Sequence, residues 1–221
     1  MERSHSRLSD ARRYREHLFY ISVVLLLSLL SVAKADGQLK PANFDAIKEL
    51  LESYARADDL MDERLLAARE SLRAQSDEAV PALMILFKDN ADEYYRGNIV
   101  DVFQFSRARK LAVTSFLEEQ LAGDVEHWQG PIWVARAISC IATHDPRRGR
   151  SIALKALNAK ANYIMQAAIK TLGDVGMMED VDTLRACKKR RELAIRNPRD
   201  GMLSLFDDAT KRIKERSSSA R

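Results

Sequence analysis

From residue 41 to residue 213 apolar side chains recur at helical spacing almost without a break. Helices this short cannot bury their apolar faces alone, so the pattern demands that they pack on one another. Phe44, Ile47, Leu51 and Tyr54 line one face of a first segment. Asp58 and Asp59 offer N-caps to a second, which carries Met61, Leu65, Ala68 and Leu72. Asp77 is placed to cap a third, with Val80, Leu83, Met84 and Phe87 inside, and a fourth carries Tyr95, Ile99, Val102 and Phe103. A fifth, Arg107 to Ala122, carries Leu111, Phe116, Leu117 and Leu121 and is stopped by Gly123. A sixth begins at Pro131, a favoured first-turn residue, and carries Val134, Ala137, Ile138 and Ile141. A seventh, roughly Arg148 to Asn158, an eighth with Ile164, Ala168, Ile169 and Leu172, a ninth from about Glu179 to Ile195, and a tenth after Pro198 complete the pass. Gly (8) and Pro (5) are scarce, which disfavours a turn-rich β fold.

Three segments look alike: "AVPALMILFKDNADEYYRGNIVDVF", "LAVTSFLEEQLAGDVEHWQGPIWVARAISCIA" and "SIALKALNAKANYIMQAAIKTLGDVG". Each is an apolar helix, a polar break and a second helix crowded with small and β-branched residues. Ile99/Val102, Ile138/Ile141 and Ile169/Leu172 are equivalent, at offsets of 39 and 31 residues. Those offsets are irregular but near the size of one helical-hairpin repeat.

In these residues the chain resembles the HEAT repeat family, of the armadillo type. "EAVPALMILFKDN" is similar to its first helix, and "YIMQAAIKTLGDVG" to its second, which typically ends Ala-Leu-Gly-x-Ile-Gly. The Arg usual in that second helix is present only as Arg96, with Gln166 in the third unit, and the middle unit has an enlarged link. The resemblance implies an all-α fold, a right-handed α-α superhelix (solenoid) of about five antiparallel helix pairs. Gly173 should let the helix end pack tightly and leave the helical track, and Gly176 should take a positive φ in the turn. The expected organisation is a leader over 1–35, an N-terminal capping pair over 36–75, repeats over 77–176, capping helices over 177–216 and a frayed tail over 217–221.

The leader places five arginines ahead of a 16-residue uncharged run, Leu18 to Ala33, closed by Ala33-Lys34-Ala35. That is the form of a secretory signal peptide, with Asp36 the expected mature N-terminus. An uncleaved anchor needs roughly 20 apolar residues, and this run is shorter. The compartment expected is therefore exported, a bacterial periplasm, with an inner-membrane-anchored form facing the periplasm as the alternative. Cys140 and Cys187 fall two units apart in the repeat order and are expected as unpaired, mostly buried thiols.

The formal charge of +4 is unevenly spread. Residues 36–95 hold 7 basic and 14 acidic side chains, hence −7, and residues 181–221 hold 12 and 6, hence +6. Beyond the leader the chain is near neutral, which excludes a general nucleic-acid binder. It leaves room for a local anionic partner near the C-terminus, or for end-to-end contact between copies.

Candidate contacts concentrate in three stretches. "DEYYRG" begins a second helix, so Tyr94, Tyr95 and Arg96, with Tyr163, could present amphipathic contact area. The alternative there is that Tyr95 is core and Arg96 pairs with a neighbouring acid. "GDVEHWQGPIWVARA" is the longest link inside the repeats and holds both tryptophans. His127 and Trp128 could anchor a partner, or Trp128 and Trp133 could plug the gap left by the irregular unit. "KKRR", Lys188, Lys189, Arg190 and Arg191, is either a weak contact for lipid headgroups or an acidic partner, or a solvated helix face. His127, His144, Cys140 and Cys187 lack metal-ligand spacing, and no nucleophile, P-loop or dinucleotide motif occurs. Paired carboxylates such as Glu118/Glu119 and Asp207/Asp208 are expected on solvated faces. No cofactor, metal or catalytic residue is expected. The reading is a non-enzymatic scaffold or adaptor whose partner is another protein. The alternative is an enzyme or chaperone-type factor similar to the HEAT-like bilin lyases.

Overall fold

The computed structural model describes residues 40–55, 63–194 and 201–219. They form ten α-helices and no strand, within a unit running from Ala42 to Arg221. The helices are α1 (Phe44–Ala55), α2 (Glu63–Ala74), α3 (Ser76–Asp89), α4 (Glu93–Phe103), α5 (Lys110–Gln120), α6 (Pro131–His144), α7 (Pro146–Ala156), α8 (Asn162–Val175), α9 (Asp180–Ala194) and α10 (Met202–Ser219). A short 3-10 turn, Val125–His127, lies between α5 and α6. The leader, Asp58, Asp59, Met61 and Pro198 lie outside the described residues.

The apolar periodicity finds its core. Ile47, Leu51, Leu83, Phe87, Ile99, Phe103, Leu117, Ile138, Ile141, Ile169, Leu172, Leu184, Phe206 and Ile213 are all buried. The second helices of the three repeat-like segments, followed by α10, pack side by side in the order α4, α6, α8, α10. Their partners in contact keep nearly constant separations in sequence. The Ile132 N–H at the start of α6 faces Glu93 at the start of α4, 39 residues back, and Arg136 bonds Asn98, 38 residues back. A fixed offset between helices means that they run parallel. Two short reversals, at Asp145 and at 157–161, then bring α8 back parallel to α6.

Small residues set the spacing of this row. A Cβ on Gly173 would lie 3.2 Å from the Ala209 Cα of α10, and a Cβ on Gly97 would lie 3.2 Å from the Arg136 guanidinium. The tightest approach is between α6 and α7. There a Cβ on Gly149 would stand 2.7 Å from the Ala142 backbone nitrogen and closer still to its Cα and Cβ.

Six expectations need correction. Leu111 does not face the core but is 68% exposed. The fifth helix begins at Lys110 rather than Arg107, because Asp77 accepts hydrogen bonds from the Ala108 and Arg109 N–H groups at 2.9 and 3.3 Å and holds those residues in a turn. Asp77 therefore does not cap its own helix; it also accepts from Ser106 Oγ at 2.6 Å and ties α3 to the α4–α5 corner. Gly176 has φ −68, so the positive-φ reading fails. Its N–H closes on the Leu172 carbonyl at 2.7 Å, and the same carbonyl oxygen blocks the place a side chain would take. Nor does Gly173 leave the helix, which continues to Val175. Finally, residues 217–219 are not frayed. The helix runs on to Ser219, and the Ser217, Ser218 and Ser219 hydroxyls each donate to the carbonyl four residues back, at 2.9 to 3.0 Å.

Positive φ occurs among the described residues at Gly123 (96°) and Gly130 (75°), which bracket the enlarged link before α6. Both cysteines are free and buried, and burial pushes the Cys140 thiol far above its ordinary pKa.

Two outcomes follow. Gly to Ala inside an exposed helix ordinarily gains about 1 kcal/mol of helix propensity. At Gly149 the new methyl meets backbone rather than a movable side chain, so Gly149→Ala should destabilise by about 1–3 kcal/mol, the cost of overpacking. Urea unfolding measures it, and a stabilised variant would show that α6 and α7 are not this close. The second concerns Asp180. Burial pushes its carboxyl up, but hydrogen bonds from Arg150 and the Met177 N–H outweigh it and hold the pKa below the ordinary value. A carboxyl lowered on folding stabilises above its unfolded pKa of about 3.9 and loses that contribution as pH falls through the folded value. Asp180→Asn should therefore lower the thermal midpoint at neutral pH, and the gap to wild type should close on acidification below about pH 4. A gap independent of pH would assign the effect to packing.

Candidate interaction surface

The parallel row gives each second helix the same edge. Tyr94, Ile132 and Tyr163 each occupy the second position of their helix, in α4, α6 and α8. Helix starts leave these side chains outside the packed interior, and Tyr94 and Tyr163 are 62% and 65% exposed. Ile132 between them is half-buried, its Cγ2 directed toward Gly97. The edge therefore carries two phenol rings with an aliphatic side chain between them. Ile132 was missed in sequence because an isoleucine after Pro131 reads as ordinary core.

The other residues of "DEYYRG" are structural. Asp92 caps α4 by accepting from the Tyr95 N–H at 2.7 Å. Tyr95 packs against the core, where burial raises its phenol pKa and the Glu52 carboxylate adds to the effect. Among the described residues Arg96 pairs with no acid. Its Nε donates to the Phe87 carbonyl at 3.1 Å and the Asn90 carbonyl at 2.6 Å, and its guanidinium lies 4.9 Å from the Phe87 ring centroid. It closes the C-terminal end of α3, where helical carbonyls lack partners.

In the long link the two tryptophans divide. Trp133 is buried edge-on to Phe87, at 5.2 Å between centroids, in a cluster that Phe116 and Phe103 extend. Trp128 is half-buried, packs against the core and donates Nε1–H to the Leu121 carbonyl at 3.1 Å. It folds the link over the end of α5. His127 is exposed on the 3-10 turn. So Trp133 fills the irregular unit, Trp128 caps α5 and His127 faces solvent.

The run at 188–191 is largely engaged. Lys188 reaches Asp207 of α10 at 2.7 Å, and that hydrogen bond raises its pKa. Arg190 donates to the Cys187 sulfur at 2.9 Å and to Asn158, and Arg191 donates to Asn162 at 3.0 Å. Lys189 is exposed. These side chains tie α9 to its neighbours more than they offer a free basic patch. The acidic pairs behave in the same way: Glu118 pairs with Arg148 at 3.2 Å, as Asp207 does with Lys188.

No cluster of metal-ligating side chains occurs among the described residues, and none of the described helices is long and apolar enough to cross a membrane. Comparison with protein-family models, with curated proteins and with solved structures finds no match.

Arg96→Ala should cost about 1.5–3 kcal/mol, the range for hydrogen bonds to a charged group. Arg96→Lys should recover only part of it, because an ammonium lacks the planar fork and the ring stacking. Urea denaturation checks both; an unchanged midpoint for Arg96→Ala would return this residue to the surface role.

Proposed function

We propose that this chain is an exported, non-enzymatic scaffold of HEAT-like helix pairs, stacked as a right-handed superhelix of about five pairs, that binds another protein along the edge of its second helices. The observation that carries the reading is the exposure of Tyr94 and Tyr163 at equivalent helix starts. Two large amphipathic rings held on rigid elements are what a binding edge needs, since they bring contact area at little entropic cost. Support for the stack comes from the constant offsets between neighbouring helices. Residues in contact across the first helices are 29 to 31 apart in sequence: Asp77 with Ala108, Glu118 with Arg148, Arg150 with Glu179 and Asp180. Export rests on the basic, apolar and small-residue order of residues 1–35.

The test is site-specific photocrosslinking in intact cells from positions 94 and 163, with position 155 on α7 as control. Both edge positions should capture the same polypeptide and position 155 should not. Tyr94→Ser with Tyr163→Ser should then lower affinity for that polypeptide by about tenfold or more, the loss of one hot-spot residue. The thermal midpoint should stay unchanged because both rings are exposed. Capture of different proteins from the two positions, or affinity unaffected by the double substitution, would end this reading.

A further inference from the structure

We propose that the corner formed by the end of α2, the start of α3, the α4–α5 turn and the end of α6 is a binding site for a small organic anion, one that joins a phosphate or carboxylate to a planar apolar body. A cleft of about 450 Å³ opens there, within the size range of small-molecule sites. Its charged lining is Arg73, Arg107 and Lys110 against the single carboxylate of Asp77. That carboxylate is already committed. Its Oδ1 takes the Ser106 hydroxyl and the backbone N–H groups of Ala108 and Arg109, which hold it ionised, so three cations against one carboxylate leave the cleft with two positive charges in excess. Arg73 gives one nitrogen to Glu70 at 2.7 Å and keeps its other donors. Among the described residues neither Arg107 nor Lys110 has an ion-pair partner. This contrasts with the arginines that join α4 to α6, α5 to α7 and α7 to α9, which sit on carboxylates.

Two further features define the ligand's shape and charge. Lys110 opens α5, an 11-residue helix whose amino end adds positive potential to the cleft. Phe105 lines the same cleft, is 41% exposed, and has the Arg73 guanidinium 4.3 Å from its ring centroid. An exposed ring stacked with a guanidinium forms a flat platform, suited to a second planar group beside a cation. His144 also lines the cleft, and its Nε2–H donates to the Phe103 carbonyl at 2.8 Å, since a carbonyl can only accept. Its Nδ1 is buried, with no hydrogen-bond partner among the described residues. Burial holds this imidazole below its ordinary pKa, Lys110 pushes it the same way, and the Phe103 carbonyl and Asp77 pull it up. An anion seated among Arg73, Arg107 and Lys110 offsets the Lys110 effect, so binding should raise the His144 pKa.

The experiment is calorimetric titration of the folded protein at low ionic strength with three probes: phenyl phosphate, benzoate and inorganic phosphate. Saturable binding of phenyl phosphate or benzoate at one site is expected, at least about tenfold tighter than inorganic phosphate. The tighter of the two aryl probes identifies the headgroup. Arg107→Ala with Lys110→Ala should weaken the aryl anion by about tenfold or more, as loss of charge-assisted contacts does. Both side chains are exposed, so circular dichroism should report an intact fold. Phe105→Ala should remove the preference for the aryl probe, and Arg147→Ala, an exposed cation outside the cleft, should change nothing. In NMR titrations the His144 ring should protonate at higher pH with the probe bound. Absence of saturable binding, equal affinity for phenyl phosphate, benzoate and inorganic phosphate, or affinity retained in the Arg107/Lys110 variant would overturn the site.

Discussion

Close packing of successive parallel helices is the constraint on which the rest of this structure depends. A helix such as α8 is apolar on more than one side: Ile164, Ala168, Ile169 and Leu172 are all buried. It is covered only because α6, α7 and α10 lie against it. Glycine and alanine set how near they come. Gly173 meets Ala209, Gly97 meets Arg136 and Ile132, and Gly149 meets the backbone at Ala142. Larger side chains at those places would push the neighbours apart and expose the branched residues beside them. The helices are short, and each borrows its stability from those next to it.

Arginine completes what apolar packing begins. Apolar contact between two helix rows does not by itself fix how far one slides along the other. Directional pairs do. Arg136 reaches back to Asp101 at 2.6 Å between α6 and α4, Arg148 to Glu118 between α7 and α5, and Arg150 to Asp180 between α7 and α9. Arg212 pairs with Asp174, and Arg216 donates to the carbonyls of Gly173 and Gly176 at the end of α8. The planar guanidinium suits this role because it satisfies two acceptors at once. Partial burial makes the Asp180 pair more than a surface ion pair, whose worth is typically under about 1 kcal/mol. The pairs act as register pins for helices whose interfaces are otherwise smooth.

Much of this was legible in the sequence, and what was not has a common cause. Burial of Ile99, Ile138 and Ile169 followed from local periodicity, because a 3.6-residue repeat is a local property. The role of Asp77 did not, because its partners lie 29 to 32 residues away and a carboxylate near a helix start reads as a cap. Arg96 was read as contact surface or as the partner of an acid, yet it found carbonyls at a neighbouring helix end, which sequence does not display as charges. Leu111 broke the pattern because the helix starts only one residue before it, so the side chain lies outside the first packed turn. Gly149 drew no notice because its importance lies in the backbone of another helix. The edge residues Tyr94 and Tyr163 were visible as aromatics at helix starts, while Ile132 between them was hidden among the core isoleucines.

Net charge proves a poor guide to where this molecule could meet an anion. The +6 of residues 181–221 is the largest basic excess beyond the leader, and the basic run at 188–191 sits within it. Yet Lys188 and Arg212 are held by carboxylates, and Arg190, Arg191 and Arg216 by side-chain or backbone acceptors of neighbouring residues. A cation already bonded to its neighbours must give up that bond to take a ligand, so its formal charge overstates its availability. The α4–α5 corner carries a smaller excess, but Arg107 and Lys110 are uncommitted among the described residues, and the one carboxylate beside them, Asp77, offsets only part of the positive charge. Partner-by-partner accounting thus moves the anion-binding potential from the end of the chain, where the sequence put it, to a corner near its middle. The same accounting explains why Tyr94 and Tyr163 stand out at the starts of α4 and α8: their rings are not consumed by the packing that holds the helices together.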